Sequence, residues 1–148
     1  MSQPYQVEIS WEQYQRDMQE LAYNIDDYRK NSEIVFNKIF PIIRGGLVIG
    51  VSLSHLLGIP LLDFSLTKIQ RKRKSYLLIT DDCSDSGNTL AILTKILSIK
   101  KIKYKIATLY TKIGTRYIPH FSVRQYSHDV WIKFPWEGEL DAKKEEEK

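Results

Sequence analysis

Leu77-Leu78-Ile79-Thr80-Asp81-Asp82-Cys83-Ser84-Asp85-Ser86-Gly87-Asn88-Thr89-Leu90 decides how the rest of the chain is read. Residues 77–80 are apolar or β-branched, the pattern of a buried strand, and the strand closes on two adjacent carboxylates. A short Ser/Gly/Asn/Thr turn then opens into a helical stretch that begins near Leu90. In open α/β sheets ligands bind beyond the carboxyl ends of the strands. A turn that feeds a helix N-terminus presents N–H groups and a partial positive charge suited to a phosphate. Ser84, Ser86 and Thr89 add hydroxyl donors, and Asp85 places a third carboxylate inside the loop. Successive strand residues point to opposite faces, so Asp81 and Asp82 suit two tasks, a sugar diol and a hard cation such as Mg²⁺. An ordinary βα turn capped by Asp and Ser accounts for one or two of these polar residues, not for the set.

Upstream, the same order of elements recurs. Lys38–Ile43 reads as a strand ending at Arg44-Gly45-Gly46, with Leu47–Leu57 as the helix behind it, closed by Gly58 and Pro60. Pro41 weakens this strand because it has no N–H for a ladder. The two glycines let the backbone approach a pyrophosphate, and Arg44 offers a bidentate fork. Before it, Ser10-Trp11-Glu12-Gln13 has capping-box spacing, and Tyr14, Met18, Leu21, Ala22 and Ile25 recur at helical intervals, predicting a helix from Trp11 to Arg29. Leu61–Thr67 is a further strand candidate. After the central stretch come a helix to Ile99, a strand over Tyr104–Thr111 ending in Lys112, and a strand-like piece, His128–Ile132, leading into Phe134-Pro135-Trp136-Glu137. The alternation predicts an α/β fold, a mostly parallel central sheet flanked by helices on both sides. One domain spans residues 1–137, and the charged tail 138–148 has the composition of a disordered segment.

Composition bounds the function classes. A chain of 148 residues with 43% hydrophobic content is sized for one globular domain. No apolar run is long enough to span a membrane, the N-terminus lacks a signal-peptide pattern, and Cys83 has no internal disulfide partner, which together predict a cytoplasmic protein. The net charge of +4 is carried by clusters at Lys68–Lys74 and Lys95–Lys105. The first cluster abuts the central strand, which fits attraction of a phosphate-rich small ligand as well as it fits a solvated loop. It holds no aromatic residue, which argues against an RNA-binding module. A phospho-receiver domain wants its acidic pair near the first strand, whereas Asp81 and Asp82 follow two earlier strands. His55, His120 and His128 lack metal-ligand spacing.

The central stretch resembles the phosphoribosyl-pyrophosphate motif of the type I phosphoribosyltransferases, in which an apolar strand, two acidic residues and two freer positions precede Asp-Thr-Gly-Gly-Thr. Ser86 stands where that family usually has Thr, and Asn88 where it usually has Gly. Ser keeps the hydroxyl, and Asn tolerates a left-handed backbone. The Ser10-Trp11-Glu12-Gln13 helix start, Arg44-Gly45-Gly46-Leu47-Val48 and Trp131-Ile132-x-x-Pro135-Trp136 are together similar to the xanthine-guanine branch of the family.

The resemblance implies the type I phosphoribosyltransferase fold with a shortened, basic lid loop. It implies Mg²⁺-dependent transfer of a phosphoribosyl group from 5-phosphoribosyl 1-pyrophosphate to a 6-oxopurine (guanine, xanthine or hypoxanthine). By matching position, Arg44 and Gly45 meet the pyrophosphate, Arg71 matches a lid arginine that also contacts it, and the peptide before Arg44, often cis in the family, here follows Ile43. Asp81 and Asp82 hold the ribose hydroxyls and Mg²⁺, with Asp82 as the metal ligand. Ser84, Asp85, Ser86, Gly87, Asn88 and Thr89 cradle the 5-phosphate. Lys112 faces the purine 6-oxo group, Trp131 stacks on the base, the Trp131 and Ile132 backbone reads its edge, and Asp85 faces the N7 proton as general base. The resemblance also implies a homodimer or homotetramer; no stable nucleic-acid partner is expected. The alternative is a non-catalytic regulator of the same fold that binds the donor and RNA.

Overall fold

The computed structural model describes residues 5–63 and 72–139. In chain order the elements are β1 (Gln6–Glu8), α1 (Trp11–Ser32), β2 (Val35–Pro41), α2 (Gly45–Leu57), β3 (Ser75–Ser84), α3 (Asn88–Ile99), β4 (Tyr104–Lys112), β5 (Arg124–Tyr126) and β6 (Trp131–Lys133). Ser10 starts α1 by accepting the Gln13 N–H at 3.0 Å, while the Gln13 side chain donates onward to Asp17, so half of the capping box forms. Tyr14, Met18, Leu21, Ala22 and Ile25 are all buried, which makes α1 the amphipathic cover its spacing predicts.

The main sheet runs β2-β3-β4-β5 and a second, two-stranded sheet pairs β1 with β6; every pairing is parallel. Two cores lie on opposite faces. Leu78 of β3 packs with α1 and α2, whereas Leu77 and Ile79 pack with Leu90 and Leu97 of α3. After β2 the chain crosses by α2 to Leu61, which bridges Ile39 on the outer edge; after β3 it crosses by α3 to β4 on the other side. The connections after β2 and β3 therefore diverge, and a crevice opens between the carboxyl ends of these two strands.

Several boundaries differ from the sequence reading. The first central strand is Val35–Pro41 rather than Lys38–Ile43; Pro41 is tolerated because it is the terminal residue of the strand. Leu61 makes a single bridge instead of opening a strand to Thr67, and the remainder of that candidate, 64–67, lies outside the described residues. β1 and β5, three residues each, carry too little periodicity to be read from sequence, and β6 is shorter and later than His128–Ile132. The strand of the central stretch continues past the acidic pair to Ser84. Of the charged tail, 140–148 lie outside the described residues. Among the described residues no helix is long and apolar enough to cross a membrane.

The glycines after Arg44 serve the packing of α2 on β3. A Cβ on Gly45 would fall onto Asp82 Oδ2, and one on Gly46 onto the Thr80 carbonyl oxygen. Thr80 answers by donating its hydroxyl to the Gly46 carbonyl at 2.9 Å. The helix N-terminus thus lies directly against the acidic end of β3, at a distance that side chains would forbid.

Asp17 joins α1 to the far strands. Only 1% exposed, it accepts from Tyr110 Oη at 2.7 Å, from Gln13 Nε2 at 2.9 Å and from the Arg124 guanidinium at 3.2 Å. Burial pushes its carboxyl up, but the hydrogen bonds from Arg124, Gln13 and Tyr110 and the Arg124 charge more than reverse this, leaving it below the ordinary carboxylate range. A depressed folded-state value contributes stability that is present above the unfolded value, about 3.9, and is lost as pH falls through the folded value. Arg124 is 49% exposed, so screening tempers the ion pair. We expect Asp17→Asn to destabilise the protein at pH 7 by about 1.5–3 kcal/mol, the range for hydrogen bonds to a charged group. Urea unfolding from pH 7 to pH 2 checks this: the gap between wild type and variant should close at the acid end, and a gap independent of pH would refute the assignment.

Candidate active site

The crevice between the ends of β2 and β3 is built first from the acidic pair. Asp81 and Asp82 are half-buried neighbours on opposite sides of the strand. Asp82 lies beside Gly45 at the start of α2, while Asp81 lines a hollow of about 100 Å³ together with Ser84–Leu90. Asp81 Oδ1 accepts the Asp82 N–H at 2.9 Å, and Asp82 Oδ1 accepts the Cys83 N–H at 2.7 Å. Burial, reinforced by the neighbouring Asp82 charge, pushes the Asp81 carboxyl up to about 8; burial raises Asp82 as well. Two carboxylates that desolvate and repel one another form a site whose charged state calls for a cation. Arg44, preceding α2, is exposed at the mouth of the same crevice, and the Ile43–Arg44 peptide is cis.

The hollow beside Asp81 is walled by the turn into α3. Its left-handed position is Gly87, with φ 81°, and Asn88 is already the first residue of the helix. The substitution of Asn for the family's Gly at 88 therefore needs no left-handed tolerance, contrary to the sequence reading; the strain falls one residue earlier, on a glycine. Ser86 Oγ accepts the Asn88 N–H at 3.3 Å, a local cap on α3. Asp85, Ser86, Asn88 and Thr89 are exposed around the hollow. Ser84 is not: it is 1% exposed, donates to the Tyr117 carbonyl at 2.7 Å and meets Thr115 Oγ1 at 2.9 Å. Its hydroxyl braces the loop from below.

The third wall comes from β4 and β6. Lys112, at the end of β4, is 5% exposed, and its ammonium donates to the Val130 carbonyl, one residue before Trp131. Trp131 is half-buried, with its N–H spent on the Tyr5 carbonyl at 2.8 Å, and Ile9 donates to the Lys133 carbonyl at 2.9 Å. Parallel ladders alternate, so the N–H and C=O of Ile132 are directed away from β1. Of the two residues expected to read the base edge, Ile132 is the one whose backbone is turned away from β1. Trp136 stacks on Phe134 at 4.7 Å and meets Tyr14 edge-on at 5.3 Å, while Phe134 stacks on Tyr110 at 5.6 Å. This aromatic column anchors the end of β6 to α1 and β4.

Cys83 follows the acidic pair on β3 and borders the hollow. Burial pushes its thiol up to about 12; the charges of Asp82, Asp85 and Asp81 add to the rise, and Lys112 opposes it. A thiol so held is protonated and is no nucleophile at neutral pH. Other expectations fall elsewhere. Arg71 and most of the Lys68–Lys74 cluster lie outside the described residues. Lys72–Lys74 and Lys100–Lys103 precede β3 and β4, at the opposite end of the strands from the acidic pair, which begins seven residues beyond Lys74, or about 23 Å. At that distance their field is screened from a ligand on Asp81, so they do not form part of this site. His120 Nδ1 accepts the Ile106 N–H at 3.0 Å, a packing role. A cavity of about 740 Å³ between Phe40, Ile43, Leu47, Leu62, Ile92 and Ile96 has mostly apolar walls unsuited to phosphates. The Val130 carbonyl and the Thr115–Tyr117 turn were missed from the sequence; Gly114, with φ 83°, marks the turn but not what it touches.

The chain matches no protein-family model. It is 31% identical over 147 residues to the xanthine-guanine phosphoribosyltransferase of Desulfotalea psychrophila, covering 88% of this chain and 86% of that one. It is 30% identical to the crystal structure of a purine phosphoribosyltransferase from Pyrococcus horikoshii, with a TM-score of 0.73 over 90% of this chain and 95% of that one. The Helicobacter pylori xanthine-guanine-hypoxanthine phosphoribosyltransferase shares the fold at 23% identity, with a TM-score of 0.72 over 95% and 99% of the two chains. With the carboxylate pair, the glycine-tight turn and the phosphate-sized hollow on one strand end, and with that degree of identity along the chain, this protein belongs to the xanthine-guanine phosphoribosyltransferase family.

Proposed function

We propose that the protein transfers the phosphoribosyl group of 5-phosphoribosyl 1-pyrophosphate to a 6-oxopurine, releasing pyrophosphate. The observation that carries this reading is the end of β3, where Asp82 lies against the glycine-tight start of α2 and Asp81 lines a phosphate-sized hollow. A purine nitrogen attacks the anomeric carbon, the bond to pyrophosphate breaks, and the base sheds a proton. The 5-phosphate lies in the hollow against the N–H groups at the start of α3 and the hydroxyls of Ser86 and Thr89. Arg44 and the Gly45 backbone face the pyrophosphate. Asp81 and Asp82 take the ribose hydroxyls and Mg²⁺, with Asp82 nearest the pyrophosphate turn. A Mg²⁺ ion held there would supply charge neutralisation for the departing pyrophosphate. Asp85, exposed in the loop, accepts the N7 proton. The protein acts as a homodimer or homotetramer.

Lys112 selects the base. An ammonium has three donors and no acceptor, and one donor is held by Val130. A 6-oxo group accepts from another; the 6-amino group of adenine does not. Because Lys112 is buried, leaving it unpaired is penalised, and discrimination of about 10⁴ is within the range for such sites.

Pyrophosphate release with saturating donor and Mg²⁺ tests the reaction: at least one of guanine, xanthine and hypoxanthine should turn over. Failure of all three, with donor still bound, would return the chain to the regulator reading. Asp85→Asn should lower kcat by about 10²–10⁴ with little change in donor affinity, the usual range for a general base. A rate within about threefold of wild type would remove Asp85 from that role. For base choice, the guanine-to-adenine ratio of kcat/KM should collapse in Lys112→Ala. A variant that kept the full preference would show that another group reads the base.

A further inference from the structure

The loop that walls the phosphate hollow is held from outside by one turn, residues 113–117, between β4 and the Phe121 bridge. The Ser86 carbonyl accepts the Arg116 N–H at 2.9 Å. A Cβ on Gly87 would strike the Tyr117 nitrogen and Thr115 Oγ1, so the left-handed glycine is packed flat against this turn. Ser84 contributes the remaining link. The Tyr117 carbonyl lies 2.7 Å from the Ser84 hydroxyl and 3.3 Å from that of Thr115; Ser84 taking the shorter contact as donor leaves its oxygen to accept from Thr115 at 2.9 Å. The chain of bonds runs from Thr115 O–H to Ser84 O–H to Tyr117 C=O.

The other end of the turn reaches the base side. The Thr115 N–H donates to the Lys112 carbonyl at 3.2 Å, and the Ile113 N–H to the Tyr126 carbonyl at 2.8 Å, while the Lys112 side chain is tied to Val130. Tyr117 is itself fixed, its phenol hydrogen-bonded to Tyr104 and its ring packed on the α3-face core. The turn is thus clamped at Lys112 and at Tyr117, and Thr115, between the clamps, is the residue whose side chain grips the phosphate loop.

We infer that Thr115 is a positioning residue that holds the phosphate loop in its donor-binding shape and ties it to the segment carrying Lys112. Removing its donor leaves a buried Ser84 oxygen short of one hydrogen bond and frees the loop from the turn. The effect acts on donor affinity, because the hollow binds the part of the donor that does not react.

The test is Thr115→Val against Thr115→Ser, read by calorimetric titration of 5-phosphoribosyl 1-pyrophosphate with Mg²⁺ and by steady-state kinetics. Thr115→Val should weaken donor binding and raise donor KM by about tenfold, the loss of one buried hydrogen bond, with kcat within about threefold of wild type. Thr115→Ser should restore both. Ser84→Ala removes the acceptor from the other side; the double variant should lose no more than either single one. If the Val variant does not fold, Ser84→Ala carries the same comparison. Unchanged donor affinity in Thr115→Val, a fall confined to kcat, or a Ser variant as weak as the Val variant would overturn the inference. It rests on the proposed reaction only in its kinetic arm. A wild type that binds donor but turns over no 6-oxopurine would refute that reaction, and the calorimetric comparison would decide the role of Thr115.

Discussion

Everything at the crevice depends on how closely α2 approaches β3. The N-terminus of the helix lies against the acidic end of the strand with no room for a side chain at positions 45 and 46. Thr80 seals the contact by bonding the Gly46 carbonyl, and Gly50 rests a turn later on the Thr80 hydroxyl and Pro41. That proximity places a helix N-terminus, with its partial positive charge, beside Asp82. Either surface alone would be an unremarkable turn. Pressed together, they form two banks of a channel suited to an anion and its counter-cation.

The acidic pair belongs to the same constraint. Burying two adjacent carboxylates is unfavourable, and the rise of Asp81 to about 8 expresses that cost as reluctance to ionise. A purely structural strand would have no use for such a pair. The hydrogen bonds made by each carboxylate to the next backbone N–H orient them without neutralising them. The site is therefore electrostatically incomplete by construction, and the proposed divalent cation with polyphosphate would supply the missing charge.

Around this centre the molecule is tied by a few long-range contacts. Asp17 gathers Tyr110 and Arg124 onto α1, the Tyr110-Phe134-Trp136 column holds β6, and Lys112 reaches Val130. The proposed base side is thus suspended from the same strand, β4, that flanks the acidic strand. The 113–117 turn closes the frame between the two. Few of these contacts involve residues near in sequence, and Asp17, Tyr110 and Lys112 are buried with their polar atoms paired.

What the sequence determined by itself is the local part: the strand-carboxylate-loop-helix order of 77–90, the Ser10 cap and stripe of α1, and the strand, Arg-Gly-Gly and helix order of 35–57. These follow from short-range periodicity, capping and turn chemistry, which neighbouring residues specify, although the start of the first central strand at Val35 rather than Lys38 was left to the structure. The alternation of elements was enough for an α/β fold, and the carboxylates were visible as chemistry; Lys112 and Trp131 drew roles only from the family resemblance. Tertiary structure decided the rest. It alone showed that Gly45 and Gly46 are required by Asp82 and Thr80, that the left-handed residue is Gly87 rather than Asn88, and that Ser84 faces Thr115. It also placed Lys72–Lys74 at the strand end opposite the site, and it paired β1 with β6, strands of three residues separated by most of the chain. Periodicity cannot announce a partner more than a hundred residues away. Which side chain meets which across the crevice is fixed by the packing of whole elements, and that information exists only once the chain has folded.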